Sequence, residues 1–297
     1  MFIFSDLNET VHRIEFKKVK ISELTTIATE GEVWAAFPRT LDSALEVIAR
    51  QECLVLGYGS NVLLPPGLEL PVVSLRYLKG VKFLGDRVLA LAGTNLSYFI
   101  NELARRGYSG LEGLIGFPST VGGAAWVGAG RGNVNFAEFV SKVVLASPLI
   151  EEKNIDEVNF GYRRGLSEVF DGVILAVYLS LNSFSRGDYE VIKERIFEAA
   201  QVRRKQPTLP SAGCFYKNPR KNLSAGYLID KAGLKGIKVG GAAVSIVHAN
   251  FFVNTGRATY KDFVELDYVV RERVLQRFGI ALEREVRIYD NYGQILN

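Results

Sequence analysis

Apolar positions recur at helical spacing in several stretches of the chain. Residues 41–49 place Leu41, Ala44, Leu45, Ile48 and Ala49 on one face, and Thr40 offers an N-cap oxygen. Ser97 is placed to cap a helix over Tyr98 to Arg106, stopped by Gly107. Asp188 opens a helix that runs to about Arg204 and ends before Pro207. Ser224 opens a short helix, 225–232, closed by Gly233. Thr259 opens the last and longest, with Phe263, Val264, Leu266, Val270 and Leu275 on its apolar face and Gly279 after it. Short apolar or alternating runs predict strands at 53–56, 62–64, 71–74, 81–93, 142–146, 172–180, 243–247, 250–254 and 285–289. Short strands mixed with separate helices point to an α+β fold rather than a doubly wound α/β sheet.

One segment obeys neither period. Residues 107–132 are dense in glycine, yet the glycines sit among Leu111, Leu114, Ile115, Phe117, Val121 and Trp126. A linker would be polar there, so an ordered, buried loop region is expected. The Pro-rich stretch after Arg204 is the best candidate for a domain boundary.

Composition narrows the function classes. The chain has 297 residues, 48% hydrophobic and 23% charged, as in an ordinary globular protein with more than one folding unit. Its net charge of +4 comes without a Lys/Arg run of the kind that binds nucleic acid or membranes. Such a surplus suits a pocket for a small anion. Two cysteines and two histidines are too few for a disulfide framework or a metal cluster built from those residues. The first residues lack a basic-then-apolar signal pattern, and no apolar run approaches the ~20 residues of a membrane span. The expected compartment is the cytoplasm.

Five segments carry candidate chemistry. Gly57-Tyr58-Gly59-Ser60-Asn61 follows a strand, and such a turn either aims backbone N–H groups at phosphate oxygens or simply makes a tight hairpin. Val62 begins another strand where a Rossmann site would need a helix, which argues against such a site. The glycines from Gly113 to Gly132 would let a cofactor approach the backbone; the bland alternative is a turn array inside a sheet domain. Phe160-Gly161-Tyr162-Arg163-Arg164 offers an arginine beside aromatics, by itself an ordinary surface feature. In Arg203-Arg204-Lys205-Gln206-Pro207 and Ser211 to Pro219, cations flank a lone thiol, Cys214, which favours proton donation or nucleophilic attack. Cys53, in the apolar run Cys53 to Leu56, belongs to the core. In Leu282-Glu283-Arg284-Glu285-Val286-Arg287 a strand would put Glu283, Glu285 and Arg287 on one face, which alone reads as a solvated edge. His248 reads as a hydrogen-bonded structural histidine.

In this order, the segments resemble those of the UDP-N-acetylenolpyruvoylglucosamine reductases. The landmarks are Gly57 to Leu63, Gly110 to Ala124, Phe160 to Arg163, Arg203 to Pro219, Leu228 to Gly236, His248 to Asn254 and Leu282 to Val286. Together they cover nearly the whole chain, from about Thr25. The short spacing from Arg163 to the strand at 172 matches the shorter family type, without an extra tyrosine-bearing loop. The chain departs from the family at Thr29-Glu30-Gly31, where a Gly-Gly pair is usual, at Gly128-Ala129-Gly130, where Asn-Ala-Gly is usual, and at Ser119, usually glycine.

The resemblance implies FAD-binding domains of the vanillyl-alcohol-oxidase type, followed by an α+β substrate-binding domain. The implied segments are 1–71, with 287–297 returning to it, 72–202 for the second FAD subdomain, and 203–286 for substrate. It implies non-covalent FAD held by Gly57, Gly59, Ser60, Asn61, Val62, Leu63, Gly116, Pro118, Ser119, Thr120, Gly122, Gly123, Ala124, Gly128 and Gly130. NADPH is implied as co-substrate, using the substrate cleft. The implied reaction reduces UDP-N-acetylglucosamine enolpyruvyl ether to UDP-N-acetylmuramate for peptidoglycan. Hydride goes from flavin N5 to the vinyl carbon, and a proton follows. The resemblance makes Cys214 the proton donor, a position often serine in the family, with Arg163 and Glu285 at the substrate carboxylate. Tyr162, Lys205 and Asn218 match substrate-binding positions. Another flavin dehydrogenase of the same fold would not need Cys214, Arg163, Glu285 and the 203–219 block together. A catalytically silent sugar-nucleotide-binding protein would have lost a catalytic position, and none is lost.

Overall fold

The computed structural model describes residues 14–147, 149–155 and 162–296. Phe160 and Gly161 of the arginine motif lie outside the described residues. The chain is α+β, and it forms two compact units. One contains the described residues up to Lys17, Ala35–Gly57 and Pro71–Ala200; the other contains Lys18–Trp34, Tyr58–Leu70 and the chain from Gln201 onward. Each is therefore assembled from segments far apart in sequence.

The first unit is built on a five-stranded antiparallel sheet. Its order is Leu149–Asn154, Val140–Ser147, Val173–Ser180, Arg87–Leu91 and Val81–Leu84. Val173–Ser180 is central and buried along nearly its whole length, as its continuous apolar run requires. The single strand expected over 81–93 is two strands, because Gly85, at φ 60°, turns a two-residue hairpin between Leu84 and Arg87. The strand Leu149–Asn154 was not expected. Its acidic residues hid it, and it pairs at the sheet edge. Ala35 and Ala36 and the strand Leu54–Leu56 flank Val72–Ser74 in parallel. The helix Leu41–Arg50 links them, and Thr40 and Ser43 form a reciprocal capping box at its start.

Two expectations fail locally here. The next helix runs Leu96–Ala104 and is capped by Asn95, whose side chain accepts from the Tyr98 amide. Ser97 instead accepts a hydrogen bond from the Gly116 amide at 2.9 Å. The glycine-dense segment is not all loop: Val121–Val127 is a helix, capped by Thr120 and ended by Gly128 in the left-handed conformation. Two adjacent glycines cost a helix ~1 kcal/mol each, so local propensity predicts a loop. Close packing overrides it, because a Cβ on Gly122 would sit 2.7 Å from the Ala92 Cβ.

The second unit holds an antiparallel sheet ordered Ser211–Cys214, Phe251–Asn254, Ala242–Val244 and Lys238–Val239. The helices Ala225–Lys231 and Tyr260–Phe278 pack on each other, and the longer one packs on the sheet. Thr259 and Asp262 make a capping box for the long helix, and Gly279 ends it at φ 66°. Its buried face is Phe263, Leu266, Asp267, Val270 and Val274. Leu275 was expected on that face but is exposed. Phe215 and Phe252 stack at 4.2 Å between ring centroids in the core, where each buried aromatic contributes roughly 1.5–3 kcal/mol.

The turn at Gly57 to Asn61 is not a hairpin. Leu54–Leu56 pairs with Val72–Ser74, whereas Val62–Leu63 pairs in parallel with Arg287–Ile288. The strand expected at 285–289 shrinks to Arg287–Ile288, and Glu285 sits in a bend. Glu283, Glu285 and Arg287 therefore do not share a strand face. No helix among the described residues is long and apolar enough to cross a membrane.

Candidate active site

The candidate residues of the first unit gather around Thr120. Gly57 follows the strand Leu54–Leu56, and a Cβ on it would fall 2.3 Å from the Thr120 Oγ1. That hydroxyl oxygen also accepts from the Gly123 amide at 3.1 Å. Glycine at 57 lets the chain pass directly over the cap of the Val121–Val127 helix. Ser74 Oγ donates to the Gly57 carbonyl at 3.2 Å. Gly116, Pro118 and Ser119 form the approach to the cap, and the Leu96 amide donates to the Ser119 carbonyl at 3.0 Å. Ala124 is buried inside the helix.

Arg163 lies at the far end of the same helix. Its φ is 57°, a left-handed conformation that costs a non-glycine residue about 1–3 kcal/mol. The neighbours impose it. Asn135 Nδ2 donates to the Arg164 carbonyl at 2.9 Å. Gly165 is pressed against the Gly128 amide and the Trp126 carbonyl, with no room for a Cβ. The Arg163 Nη1 donates to the Gly130 carbonyl, and the guanidinium lies 5.2 Å from the Tyr162 ring centroid. Gly128, Gly130 and Arg163 are thus brought together, with the guanidinium fixed in direction and Tyr162 exposed beside it. Cys53 packs against the core of this unit; burial, then the Glu52 charge, pushes its thiol up to about 11.

In the second unit, Cys214 and Glu285 are neighbours across the backbone. Gly213, at φ 76°, sits in a register shift of the strand Ser211–Cys214, and such a bulge re-aims the next side chain. Cys214 is half-buried. The next residue, Phe215, accepts from the Glu285 amide at 2.8 Å and donates its own amide to the Asn250 carbonyl at 2.7 Å. Glu285 is also half-buried, and its carbonyl accepts from Asn61 Nδ2 at 3.0 Å. The Asn61 carbonyl accepts from the Arg287 amide. Asn61, expected to face a cofactor, thus gives its side-chain amide to the Glu285 backbone.

The other expected positions are more scattered. Asn218 Oδ1 accepts from the Ala225 amide at 3.1 Å, at the start of the Ala225–Lys231 helix. Lys205 is exposed just past the helix Tyr189–Arg204. Val62 and Leu63 are buried, and Leu63 belongs to the core. Gly59 is left-handed at φ 61°, and its carbonyl accepts from the Thr26 amide. Glu283 is exposed and pairs with Lys217. His248 Nδ1 accepts from the Asn250 amide at 3.2 Å, and burial lowers its pKa, as a structural histidine requires.

Sequence reading missed Asp267. It is fully buried on the long helix, and its Oδ2 accepts from Arg284 Nε at 2.8 Å and Nη2 at 2.6 Å. Its Oδ1 accepts from the Tyr216 hydroxyl at 2.8 Å. Burial, then the Asp267 charge, holds Tyr216 well above the usual phenol range, so it remains a donor. An acid in an apolar helical stripe was the available signal.

Known proteins bear directly on this arrangement. The family model for the UDP-N-acetylenolpyruvoylglucosamine reductase C-terminal domain matches residues 205–289. A protein of Thermotoga petrophila named UDP-N-acetylenolpyruvoylglucosamine reductase is 35% identical over 280 residues, covering 92% of this chain and 98% of its own. One of the same name from Caldanaerobacter subterraneus is 36% identical over 266 residues, covering 85% of this chain and 86% of its own. This chain belongs to the UDP-N-acetylenolpyruvoylglucosamine reductase family. The crystal structure of UDP-N-acetylenolpyruvylglucosamine reductase from Thermus caldophilus agrees, with a TM-score of 0.79 and 34% identity over 93% of this chain and 100% of that one. Within the reductase-family match, Lys205 is the first residue, and Cys214, Asn218 and Glu285 fall inside it.

Proposed function

We propose that this reductase reduces UDP-N-acetylglucosamine enolpyruvyl ether to UDP-N-acetylmuramate in peptidoglycan precursor synthesis, with non-covalent FAD and with NADPH as co-substrate. The observation that supports the reading is the backbone junction of Phe215 with Glu285, which joins the strand ending in Cys214 to the bend that carries Glu285. We assign the FAD-binding role to 1–71 with 287–297 and to 72–202, in a vanillyl-alcohol-oxidase-type fold, and substrate binding to 203–286. The cytoplasm is the proposed compartment.

The residues present fit a flavin dinucleotide. Gly57, Gly122 and Gly123 keep the main chain around Thr120 free of Cβ atoms where it packs closely, and Gly59 turns left-handed before the polar Ser60 and Asn61. Uncharged backbone turns of this kind hold phosphate oxygens through N–H groups. In the first unit Gly57, Gly116, Pro118, Ser119, Thr120, Gly122, Gly123, Ala124, Gly128 and Gly130 would hold FAD; in the second, Gly59 to Leu63 would. Bound FAD would supply hydride to the vinyl methylene carbon.

The chain's own residues handle the charge that results. Negative charge develops on the carbon next to the carboxylate and spreads into it. Arg163, fixed by the Gly130 carbonyl, supplies a planar cation for that group. A preorganised donor of this sort lowers a barrier by ~3–4 kcal/mol. We assign Glu285 to the same substrate carboxylate. Cys214 donates the final proton to the carbon and recovers one from water. A thiol is a stronger acid than the hydroxyl it replaces. Lys205 suits the nucleotide diphosphate, with Tyr162 and Asn218 as further substrate contacts.

Anaerobic NADPH should bleach the yellow protein, and the enolpyruvyl ether should restore the colour with formation of the lactyl ether. Excess enolpyruvyl ether should compete with NADPH. Failure of the ether to reoxidise the flavin, or a stable ternary complex, overturns the assignment. Acid precipitation is expected to release all the flavin; colour kept in the pellet rejects non-covalent binding.

A further inference from the structure

A ring of hydrogen bonds in the second unit passes through both proposed proton-handling residues, and two side chains close it. Thr26 Oγ1 donates to the Ser211 carbonyl at 2.7 Å, at the start of the strand that ends in Cys214. The Thr26 amide donates to the Gly59 carbonyl at 3.2 Å. Two residues on, Asn61 Nδ2 donates to the Glu285 carbonyl at 3.0 Å. The Glu285 amide returns to Phe215, next to Cys214, at 2.8 Å. Four segments distant in sequence are tied in one circuit: the turn at Thr26, the turn at Gly59 to Asn61, the strand Ser211–Cys214 and the bend at Glu285.

The supports of this circuit are themselves fixed. Asn254 Nδ2 donates to the Ile27 and Ala28 carbonyls at 3.2 and 2.7 Å, which pins the turn that carries Thr26. Ala28 is held left-handed at φ 54°. Gly59 has no room for a Cβ, because the Leu24 carbonyl lies 2.4 Å from where it would be. Thr26 and Asn61 are only half-buried, and their bonds go to main-chain carbonyls rather than to charged groups. They therefore set the position of backbone without adding charge, which suits the task of fixing where Cys214 and Glu285 start.

We infer that Thr26 and Asn61 are positioning residues, which set the strand bearing Cys214 and the bend bearing Glu285 in register through one hydrogen-bonded ring. The inference rests on the proposed roles of Cys214 and Glu285. It moves the side chain of Asn61 from cofactor binding to placement of the proton-handling pair.

Thr26→Val removes one hydroxyl donor at nearly constant shape, Thr26→Ser restores it, and Asn61→Asp replaces the amide donor with an acceptor. Two readouts apply to each folded, FAD-loaded variant. The first is the pair of half-reactions, flavin reduction by NADPH and reoxidation by the enolpyruvyl ether. The second is the rate of Cys214 alkylation by iodoacetamide against pH, with the labelled peptide identified by mass and Cys53 as the internal reference. The second needs neither substrate nor flavin and is repeated on the apoprotein. Thr26→Val and Asn61→Asp should slow reoxidation about tenfold to a hundredfold, the effect of displacing a reacting group by about 1 Å. In Thr26→Val, reduction by NADPH and FAD affinity should stay near wild type. The pH profile of Cys214 alkylation should shift in both while that of Cys53 does not, and Thr26→Ser should match wild type.

Unchanged Cys214 alkylation and reoxidation in folded Thr26→Val and Asn61→Asp overturns the inference. So does loss of FAD by Asn61→Asp with Cys214 alkylation intact, since Asn61 then acts on the cofactor. If wild type is not reoxidised by the enolpyruvyl ether, the proposed reaction fails, while the alkylation profiles still report whether the ring positions Cys214.

Discussion

Cys214→Ala is expected to keep FAD and to be bleached by NADPH at a near-normal rate, yet to lose turnover of the enolpyruvyl ether by ~10²–10⁴-fold. The separation follows from what each half-reaction needs. On the proposed mechanism, reduction of the flavin calls on no proton from this residue, and the glycines around Thr120 belong to other segments. On the proposed mechanism, protonation of the carbon next to the carboxylate calls on Cys214, at the end of the strand Ser211–Cys214 and next to the bulge at Gly213. Cys214→Ser should recover much of the activity, because a hydroxyl can occupy the same donor position. A stopped-flow trace of flavin reoxidation for the two variants side by side decides it. Small and equal effects on both half-reactions would reduce Cys214 to a packing residue against Phe251 and Val253.

Asp267→Ala should destabilise the protein by about 3–5 kcal/mol, the usual cost of removing one partner of a buried ion pair. The carboxylate is fully buried and meets two donors at once, the Arg284 guanidinium and the Tyr216 hydroxyl. Deleting it strands a cation whose side chain is only 17% exposed, and leaves a buried phenol with the main-chain carbonyl of residue 267, at 3.2 Å, in place of the carboxylate. The same region ties Lys217 to the Glu283 carbonyl through backbone, so the loss should spread to the bend at Glu285. Urea unfolding followed by tryptophan fluorescence measures the change. Replacing all three partners with apolar residues of similar volume (Asp267→Leu, Arg284→Met and Tyr216→Phe) should return most of the stability. If the single variant costs under about 1 kcal/mol, the network is not a structural keystone.

Much of the fold was legible because local rules agree with it. Thr40, Ser224 and Thr259 cap the helices expected of them, and Gly279 ends the last one. Where local rules failed, tertiary contact had prevailed. The helix Val121–Val127 contains two glycines, one of which, Gly122, Ala92 demands, and Asn95 took the cap expected of Ser97. The candidate site was legible as residues but not as geometry. Cys214, Arg163 and Glu285 could be singled out through the resemblance. Nothing in the spacing told that Asn61 would bond to the Glu285 backbone, or that Leu282 to Val286 would bend instead of extending as a strand. The Asn61 bond joins residues 224 positions apart, and the bend at Glu285 is held by Phe215 and Lys217, all beyond the reach of any periodicity. Asp267 was the recoverable omission, since its place among Phe263, Leu266, Val270 and Val274 is visible in the helical pattern.

The parallel pairing of Val62–Leu63 with Arg287–Ile288 has a consequence for how the chain is made. During synthesis the stretch Pro71–Ala200 emerges whole and can collapse around its own sheet while the ribosome is still translating. The second unit must wait, because its early strand finds its partner only when Arg287 and Ile288 emerge. Closing so large a loop carries a high entropic barrier, and pairings of long sequence separation form slowly. The unit with the proposed proton-handling residues therefore matures after the first, and until then its short strand Val62–Leu63 lacks its partner and is open to chaperones.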